Sequence, residues 1–299
     1  MEHGHFTHGL LEKKTNRAGW SFVITASVLL MLFSLYPMID AVRMSFLSGK
    51  GNNMSFAGFA NFTHMLQDVT LHKAFYNTLL YLVIQVPVMM ILALILASLL
   101  QDKTLKGVGF FRTALFMPCI TASVSYALIM KTIFANDGLF NSVMMRIGLM
   151  QEPIQWLTDP FWAKVLIIIA ITWRWTGYNM VFYVAGLQNV DPAVYEAARL
   201  DGANALQQMT RITVPLLKPI ILFTSISSTV GTLQLFDEVV NITGGGPANA
   251  TLTISQYVYN LCFKFVPNFG YATAVSVVVV VLIALLSLLQ FKLGGKNEG

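Results

Sequence analysis

The sequence predicts an all-α integral membrane protein with six spanning helices. Three observations carry that reading. Of 299 residues, 56% are hydrophobic and only 11% charged, against roughly 25% charged in a soluble domain. Too little polar surface remains for a soluble fold of this length. Charge is also confined. No Asp, Glu, Lys or Arg occurs between Arg17 and Asp40, Lys73 and Asp102, Arg112 and Lys131, or Lys264 and Lys292. Each interval can hold the about 20 apolar residues that cross a bilayer core. Finally, Lys and Arg are unevenly shared between alternate loops, as membrane topology requires.

In chain order, a tail over residues 1–19 holds His3, His5 and His8. A loose tail has nothing to orient imidazoles, so no metal role is expected of it. The first span covers about 20–39. Lys13, Lys14 and Arg17 precede it as in a signal peptide, but "YPMIDAVRM" follows without a small-x-small cleavage site, so it reads as an uncleaved anchor. "FAGFANFTHML" is an interfacial lead into a second span at 74–100. The third span, 113–134, contains Pro118, expected to bend it. Gly138 and Gly148 mark helix ends in the loop Ile133–Trp162. The fourth span, 161–187, is interrupted by Arg174. The fifth, 219–240, carries Asp237 and Glu238 near its end. The loop "NITGGGPANATLTISQYVYNLCF" reads either as a flexible turn or as ordered irregular backbone lining a cavity. A sixth span at 270–291 closes the membrane domain, 20–292, and residues 293–299 form a second tail.

With the N-terminus cytoplasmic, the inner segments hold Lys13, Lys14, Arg17, Lys103, Lys106, Arg112, Arg199, Arg211, Lys218, Lys292 and Lys296. The outer loops hold Arg43, Lys50, Lys73, Lys131, Arg146, Lys164 and Lys264. Eleven against seven points to both termini inside. It also places the polar segment 191–215, between the fourth and fifth spans, on the cytoplasmic face.

Several classes are disfavoured. Cys119 and Cys262 lie far apart in apolar surroundings and read as inert thiols. No Gly-x4-Gly-Lys-Ser/Thr phosphate cradle occurs, so the chain shows no nucleotide-hydrolysis site of its own. His64 and His72 lack metal spacing, no catalytic constellation stands out, and no basic-aromatic pattern suggests nucleic acid.

The polar segment is "VYEAARLDGANALQQMTRITVPLLKP", Val194 to Pro219. Asp191 suits an N-cap and Pro192 the first helical position. A helix through Leu200 can then leave through Gly202, which takes a left-handed conformation without the steric cost of a Cβ. A second run, Ala203 to Ile212, is expected to end before Pro215, which biases Val214 away from helix. Lys218 and Pro219 mark re-entry into the membrane. Glu196 and Arg199 stand three apart and can pair. So short a helix is marginal alone. Its alanines and carboxylate suit a protein partner better than lipid headgroups.

This segment resembles the EAA motif of ABC-importer permease subunits: Glu196-Ala197-Ala198, then Gly202, then Ile212-Thr213-Val214-Pro215, with Val214 where the motif has Leu. "YNMVFYVAGLQNVDPAVYEAA", "GFANF", "FYNTLLY", "FMPCITASVSYALIMKTIF" and "TGGGPANAT" resemble the carbohydrate branch, of maltose and glycerol-phosphate type. The resemblance implies a type I importer permease (MetI-like) fold that carries a sugar, oligosaccharide or related polyol or phosphate ester across a bacterial or archaeal cytoplasmic membrane. It implies a second EAA-containing permease, two cytosolic ATPases that bind the ATP and Mg, and an extracytoplasmic solute-binding protein, all in contact with membrane lipid. No cofactor is expected on this chain. The coupling segment would comprise Tyr195, Glu196, Ala197, Ala198, Leu200, Asp201 and Gly202. The competing class is a secondary carrier or channel. Such carriers commonly show internal repeats and intramembrane acids at mid-depth. No convincing repeat appears between the halves, and Asp237 and Glu238 lie near a helix end.

A sugar path needs hydroxyl partners and an aromatic face near mid-membrane. The third span offers Ser123 and Ser125. The fourth offers Thr172, Thr176, Asn179 and Tyr183, at spacings of four, three and four, and the fifth offers Thr232, Gln234 and Phe236. The maltose type, by resemblance, lines its sugar site with these three helices. Arg174 lies ten residues beyond Lys164, about 15 Å along a helix, where lipid exposure costs about 2.5–3.5 kcal/mol. Two roles compete for it: bonding to carbonyls, Asp237 or Glu238, or binding substrate. The structural role is preferred, because the row from Thr172 to Tyr183 projects from a face that position 174 does not share.

Overall fold

The computed structural model describes residues 19–294 apart from 22, 51–52 and 102–104. His3, His5, His8, Lys13, Lys14, Arg17, Lys103 and Lys296 lie outside the described residues. Among the described residues, four helices are long and apolar enough to cross a membrane: α1 (Gly19–Ser45), α3 (Val69–Leu99), α7 (Pro160–Leu187) and α13 (Phe269–Gly294). Two bent pairs complete a set of up to six.

Helix α1 contains a π turn, Met31–Leu35. Its second half packs on α13, and side chains such as Phe33 project outward. It leads into a feature the all-α expectation lacks, an antiparallel hairpin of β1 (Leu47–Lys50) and β2 (Asn53–Phe56). Asn61, on the short helix α2 (Ala60–Met65), donates to the carbonyls of Ser45 (2.8 Å) and Leu47 (2.7 Å) and fixes this corner.

Helix α3 begins five residues before the expected Ala74. Asp68 caps it, accepting from the Thr70 (2.9 Å) and Leu71 (3.1 Å) amides. Counting only a charge-free run discards that first turn because Lys73 closes it. α3 packs along α7, whose N-cap Asp159 accepts from Phe161 and Trp162 at 2.9 Å. α7 is central, buried on several sides.

The expected third span is not one helix. α4 (Val108–Ile120) and α5 (Ser123–Ile133) meet at 104° across extended Thr121 and Ala122. Pro118 has no N–H for the last turn of α4, and the chain leaves the helix three residues later. α4 approaches α7 closely at Gly177, where a Cβ would overlap the Leu115 carbonyl. Small residues permit such backbone approach between membrane helices. The next short helix, α6 (Leu139–Arg146), starts after Gly138, and Gly148 follows at φ +76°.

Beyond α7 come α8 (Pro192–Leu200) and α9 (Ala205–Leu216), the latter bent by 77° from α10 (Lys218–Leu233). Contrary to the expected stop before Pro215, Val214 is helical at φ −62°, ψ −47°. A π turn, Met209–Thr213, carries the chain past the proline, with the Val214 amide reaching back to the Met209 carbonyl. The wider turn accommodates a residue that cannot donate.

The expected fifth span is likewise interrupted. α10 ends at Leu233, and α11 (Asp237–Ile242) starts after irregular Gln234–Phe236. Irregular backbone is stable at membrane depth only where it faces protein or a cavity. The glycine loop that follows is ordered irregular backbone. Lys73 Nζ donates to the Ala248 carbonyl (2.6 Å), and Asn77 donates to that of Leu252 (3.0 Å). α12 (Ile254–Tyr259) runs into a π turn, Asn260–Lys264, before α13.

Three apolar clusters hold the bundle. One joins Tyr126 and Met130 of α5 to Leu166, Ile167 and Ile171 of α7 and Val239 of α11. A second gathers Leu71, Tyr257 and Tyr271 where α3, α12 and α13 meet. A third packs Ala93 and Ala97 of α3 and Met180 and Leu187 of α7 around Leu217, at the α9–α10 bend.

Candidate functional site

Two sites emerge, joined by one continuous stretch of chain. The first is α8 and its turn. Asp191 accepts from the Ala193 amide at 2.9 Å. At the other end, Gly202 sits at φ +80° with open space around its Cα. The Ala203 amide bonds to the Ala198 carbonyl (2.9 Å) and the Gly202 amide to that of Arg199 (3.1 Å). This is a complete Schellman closure. A reciprocal cap follows at once: the Asn204 and Gln207 side chains each accept the other's backbone amide at 2.9 Å. The Tyr195 hydroxyl pairs with Thr213 Oγ1 at 3.0 Å and ties α8 to α9. Both ends of α8 are thus capped, yet none of its residues is buried. Leu200 is 89% exposed and Leu206, on α9, 72%.

The expected pair of Glu196 and Arg199 is not formed. Among the described residues the ion pairs are Arg43–Asp40 and Arg174–Glu238. An exposed pair gains too little in high dielectric to fix two long side chains.

The second site is a cavity of about 530 Å³ between α3, α7, α10 and the irregular Gln234–Phe236 link. Four of the expected pathway residues line it: Asn179, Thr232, Gln234 and Phe236. The other four do not. Thr176 Oγ1 donates to the Thr172 carbonyl at 2.6 Å, and Thr172 Oγ1 is buried without a partner. Tyr183 pairs with Thr224 at 2.9 Å near a separate apolar pocket. Ser123 donates to Asp237 Oδ2 at 3.1 Å from behind the wall. The row shares one helical face, but much of that face packs on neighbouring helices rather than on open space. Ser125, on α5, does not line the cavity either.

Arg174 lines the same cavity as Asn179, contrary to the face argument. A long side chain reaches round the helix where threonine cannot. Its Nη1 donates to Glu238 Oε1 (3.2 Å) and its Nη2 to the Thr121 carbonyl (3.3 Å), which the α4–α5 break leaves without a helical donor. The guanidinium lies over the Tyr126 ring at 5.2 Å and the Trp175 ring at 5.7 Å. Trp175 Nε1 donates to the same Glu238 oxygen at 3.3 Å. Sequence reasoning missed Gln85, Met89, Trp175 and Tyr178 as lining residues. Gln85 was detectable as a lone amide inside the apolar run "LVIQVPVMM". Its Oε1 accepts from Thr232 at 3.1 Å, joining α3 to α10. Among the described residues no cluster of His, Cys, Asp and Glu could hold a metal.

The family described as "binding-protein-dependent transport system inner membrane component" matches residues 65–295. The lactose transport system permease protein LacF of Rhizobium radiobacter is 51% identical over 275 residues, 91% of this chain and 92% of that protein. The arabinooligosaccharides transport system permease protein AraP of Bacillus subtilis is 33% identical, over 93% and 89%. Among solved structures, a bacterial ABC transporter involved in the import of the acidic polysaccharide alginate superposes with a TM-score of 0.85 at 22% identity. That match covers 98% of this chain and 100% of the other.

Proposed function

From the premise that this chain belongs to the family of binding-protein-dependent transport system inner membrane components, we propose that it forms one half of the membrane core of a sugar importer. A second permease of the same kind completes the cavity. Two cytosolic ATPases bind the ATP and Mg and hydrolyse the nucleotide, and a solute-binding protein delivers the sugar from outside. The chain itself performs no chemistry, and both termini face the cytoplasm.

One observation carries the coupling role: α8 is capped at both ends yet buries none of its residues. A helix of nine residues is unstable alone, so a partner surface is expected to cover it. Leu200 and the small Ala197, three apart and both exposed, supply an apolar, closely approachable face. Movement imposed on α8 passes through the Tyr195–Thr213 contact into α9 and to Leu217, held in the core at 1% exposure. α10 extends from that pivot to the irregular link that lines the cavity. ATPase motion at one end can therefore reshape the cavity at the other.

The cavity fits a sugar in kind. Trp175, Tyr178 and Phe236 offer aromatic faces, and Gln234 and Thr232 offer hydroxyl partners. The relatives named for lactose and arabinooligosaccharides support a carbohydrate substrate. The docking claim is tested by disulfide capture. Leu200→Cys, with Cys119 and Cys262 replaced by Ser, should cross-link to a cysteine in the ATPase groove within the assembled complex. An assembled, active complex that gives no cross-link across a scan of that groove would exclude the docking surface.

A further inference from the structure

The cavity wall carries three charged residues: Arg174, Asp237 and Glu238. They are not equivalent. Arg174 is spent within the wall. Both Nη atoms are bonded, to Glu238 and to the Thr121 carbonyl, its plane lies over two rings, and its side chain is only 10% exposed. Its Nε is buried without a partner, and the N–H groups left over on Nη1 and Nη2 belong to a side chain with little exposed surface. Glu238 is matched by it, with a side chain 6% exposed. Among the described residues Asp237 has no cation within ion-pair distance. Ser123 Oγ donates to its Oδ2 at 3.1 Å, and its other carboxylate oxygen has no partner among the described residues. The residue is exposed on the cavity wall. With Arg174 and Glu238 cancelling, the lining keeps a formal charge of minus one, held on Asp237.

Resting on the carbohydrate reading above, we infer that Asp237 makes this cavity selective for uncharged sugars over acidic ones. Its free oxygen accepts a hydrogen bond from a hydroxyl of a neutral sugar lying against Trp175 or Phe236. The same oxygen repels a carboxylate or phosphate, and among the described residues the cation on this wall, Arg174, is already paired with Glu238. Charge mismatch of this kind discriminates strongly where water is excluded. The distinction matters within this fold, since one structural neighbour serves the import of an acidic polysaccharide.

The test uses the assembled complex without its binding protein, so that the cavity alone selects. Binding of lactobionamide and lactobionate, which share a shape and differ in charge, is followed by fluorescence quenching. A neutral sugar that the complex imports, lactose first, is titrated beside them. The wild-type complex should bind the amide at least about tenfold more tightly than the acid. Asp237→Asn preserves the acceptor for Ser123 and should shrink that ratio to about threefold or less. Asp237→Ser gives a second neutral variant, and Asp237→Glu should retain the discrimination. Equal binding of the two ligands by wild type, or an unchanged ratio in both neutral variants, overturns the inference. So does absence of binding by a complex that imports lactose. A complex that imports no sugar at all would instead refute the transport reading and leave no role for the selectivity.

Discussion

Arg174 on α7 and Glu238 on α11 form a buried ion pair at 3.2 Å that spans the two breaks in the bundle. The guanidinium also takes the Thr121 carbonyl at the α4–α5 bend, and Glu238 sits in the first turn after the α10–α11 break. Both interruptions are thus held by one side chain. Removing one partner of a buried pair costs about 3–5 kcal/mol. Arg174→Met should therefore lower the thermal stability of the assembled complex markedly. Arg174→Met with Glu238→Met should recover part of the loss, because no uncompensated charge remains. A stable, fully assembled Arg174→Met complex with no uptake would give the arginine a substrate role instead.

Asn179 and Gln234 both line the cavity but should behave differently. Asn179 Nδ2 is committed to the Trp175 carbonyl (3.0 Å) and Met89 Sδ (3.4 Å), whereas Gln234 is exposed. Gln234→Ala should reduce uptake severalfold with unchanged melting. Asn179→Ala should lower stability by about 1 kcal/mol or more. Parallel uptake and thermal-shift measurements separate the two, and unchanged uptake in Gln234→Ala would remove it from the path.

Asp68 outside the spans predicts a pH effect. Burial would raise its carboxyl, but hydrogen bonds from the Tyr257 hydroxyl (2.6 Å), the Tyr271 hydroxyl (2.7 Å) and the Leu71 and Thr70 amides hold it below the usual carboxylate range. A folded-state value below the unfolded one means the stabilisation is complete above about pH 4 and fades as pH falls through the folded value. Melting temperatures of wild type and Asp68→Asn should differ at pH 7 and converge in strong acid. A gap that stays constant down the titration would show that the carboxylate charge is not what stabilises.

Gly177→Ala tests the close approach of α4 to α7. Its Cβ would meet backbone, the Leu115 carbonyl, which cannot swing aside. The helices must separate, so expression and melting temperature should fall well beyond the about 1–3 kcal/mol of ordinary overpacking. Normal melting would mean that α4 sits farther from α7.

Much of this architecture is legible in the sequence, because a bilayer imposes length and charge limits that composition reports directly. α7 and α13 follow from that alone. So do Asp191, Pro192 and Gly202, each dictated by local backbone chemistry. What composition hides is where an apolar segment breaks. "FMPCITASVSY" carries no charge to mark a break; Pro118 signals a bend, but its size, 104° at Thr121–Ala122, goes with packing and with Arg174 taking a freed carbonyl. The cavity residues were half visible. Polar spacing found Asn179, Thr232 and Gln234, but periodicity cannot say whether a polar face meets water or another helix. Thr172, Thr176 and Tyr183 are buried in packing instead, Thr176 bonding within α7 and Tyr183 to Thr224 of α10.

The most direct measurement is ATP hydrolysis by the assembled complex in proteoliposomes, with binding protein and sugar, for Ala197→Trp and Gly202→Val. Ala197 is exposed on α8, and Trp would hold the two surfaces apart. At Gly202, φ is +80° with free space around it, so Val acts through backbone strain, about 1–2 kcal/mol, rather than by collision. Both variants should insert and fold normally, lose at least about tenfold of the sugar-stimulated hydrolysis and lose uptake with it. Full stimulated hydrolysis and full uptake in both would contradict the assignment of this helix as the link between ATPase and cavity.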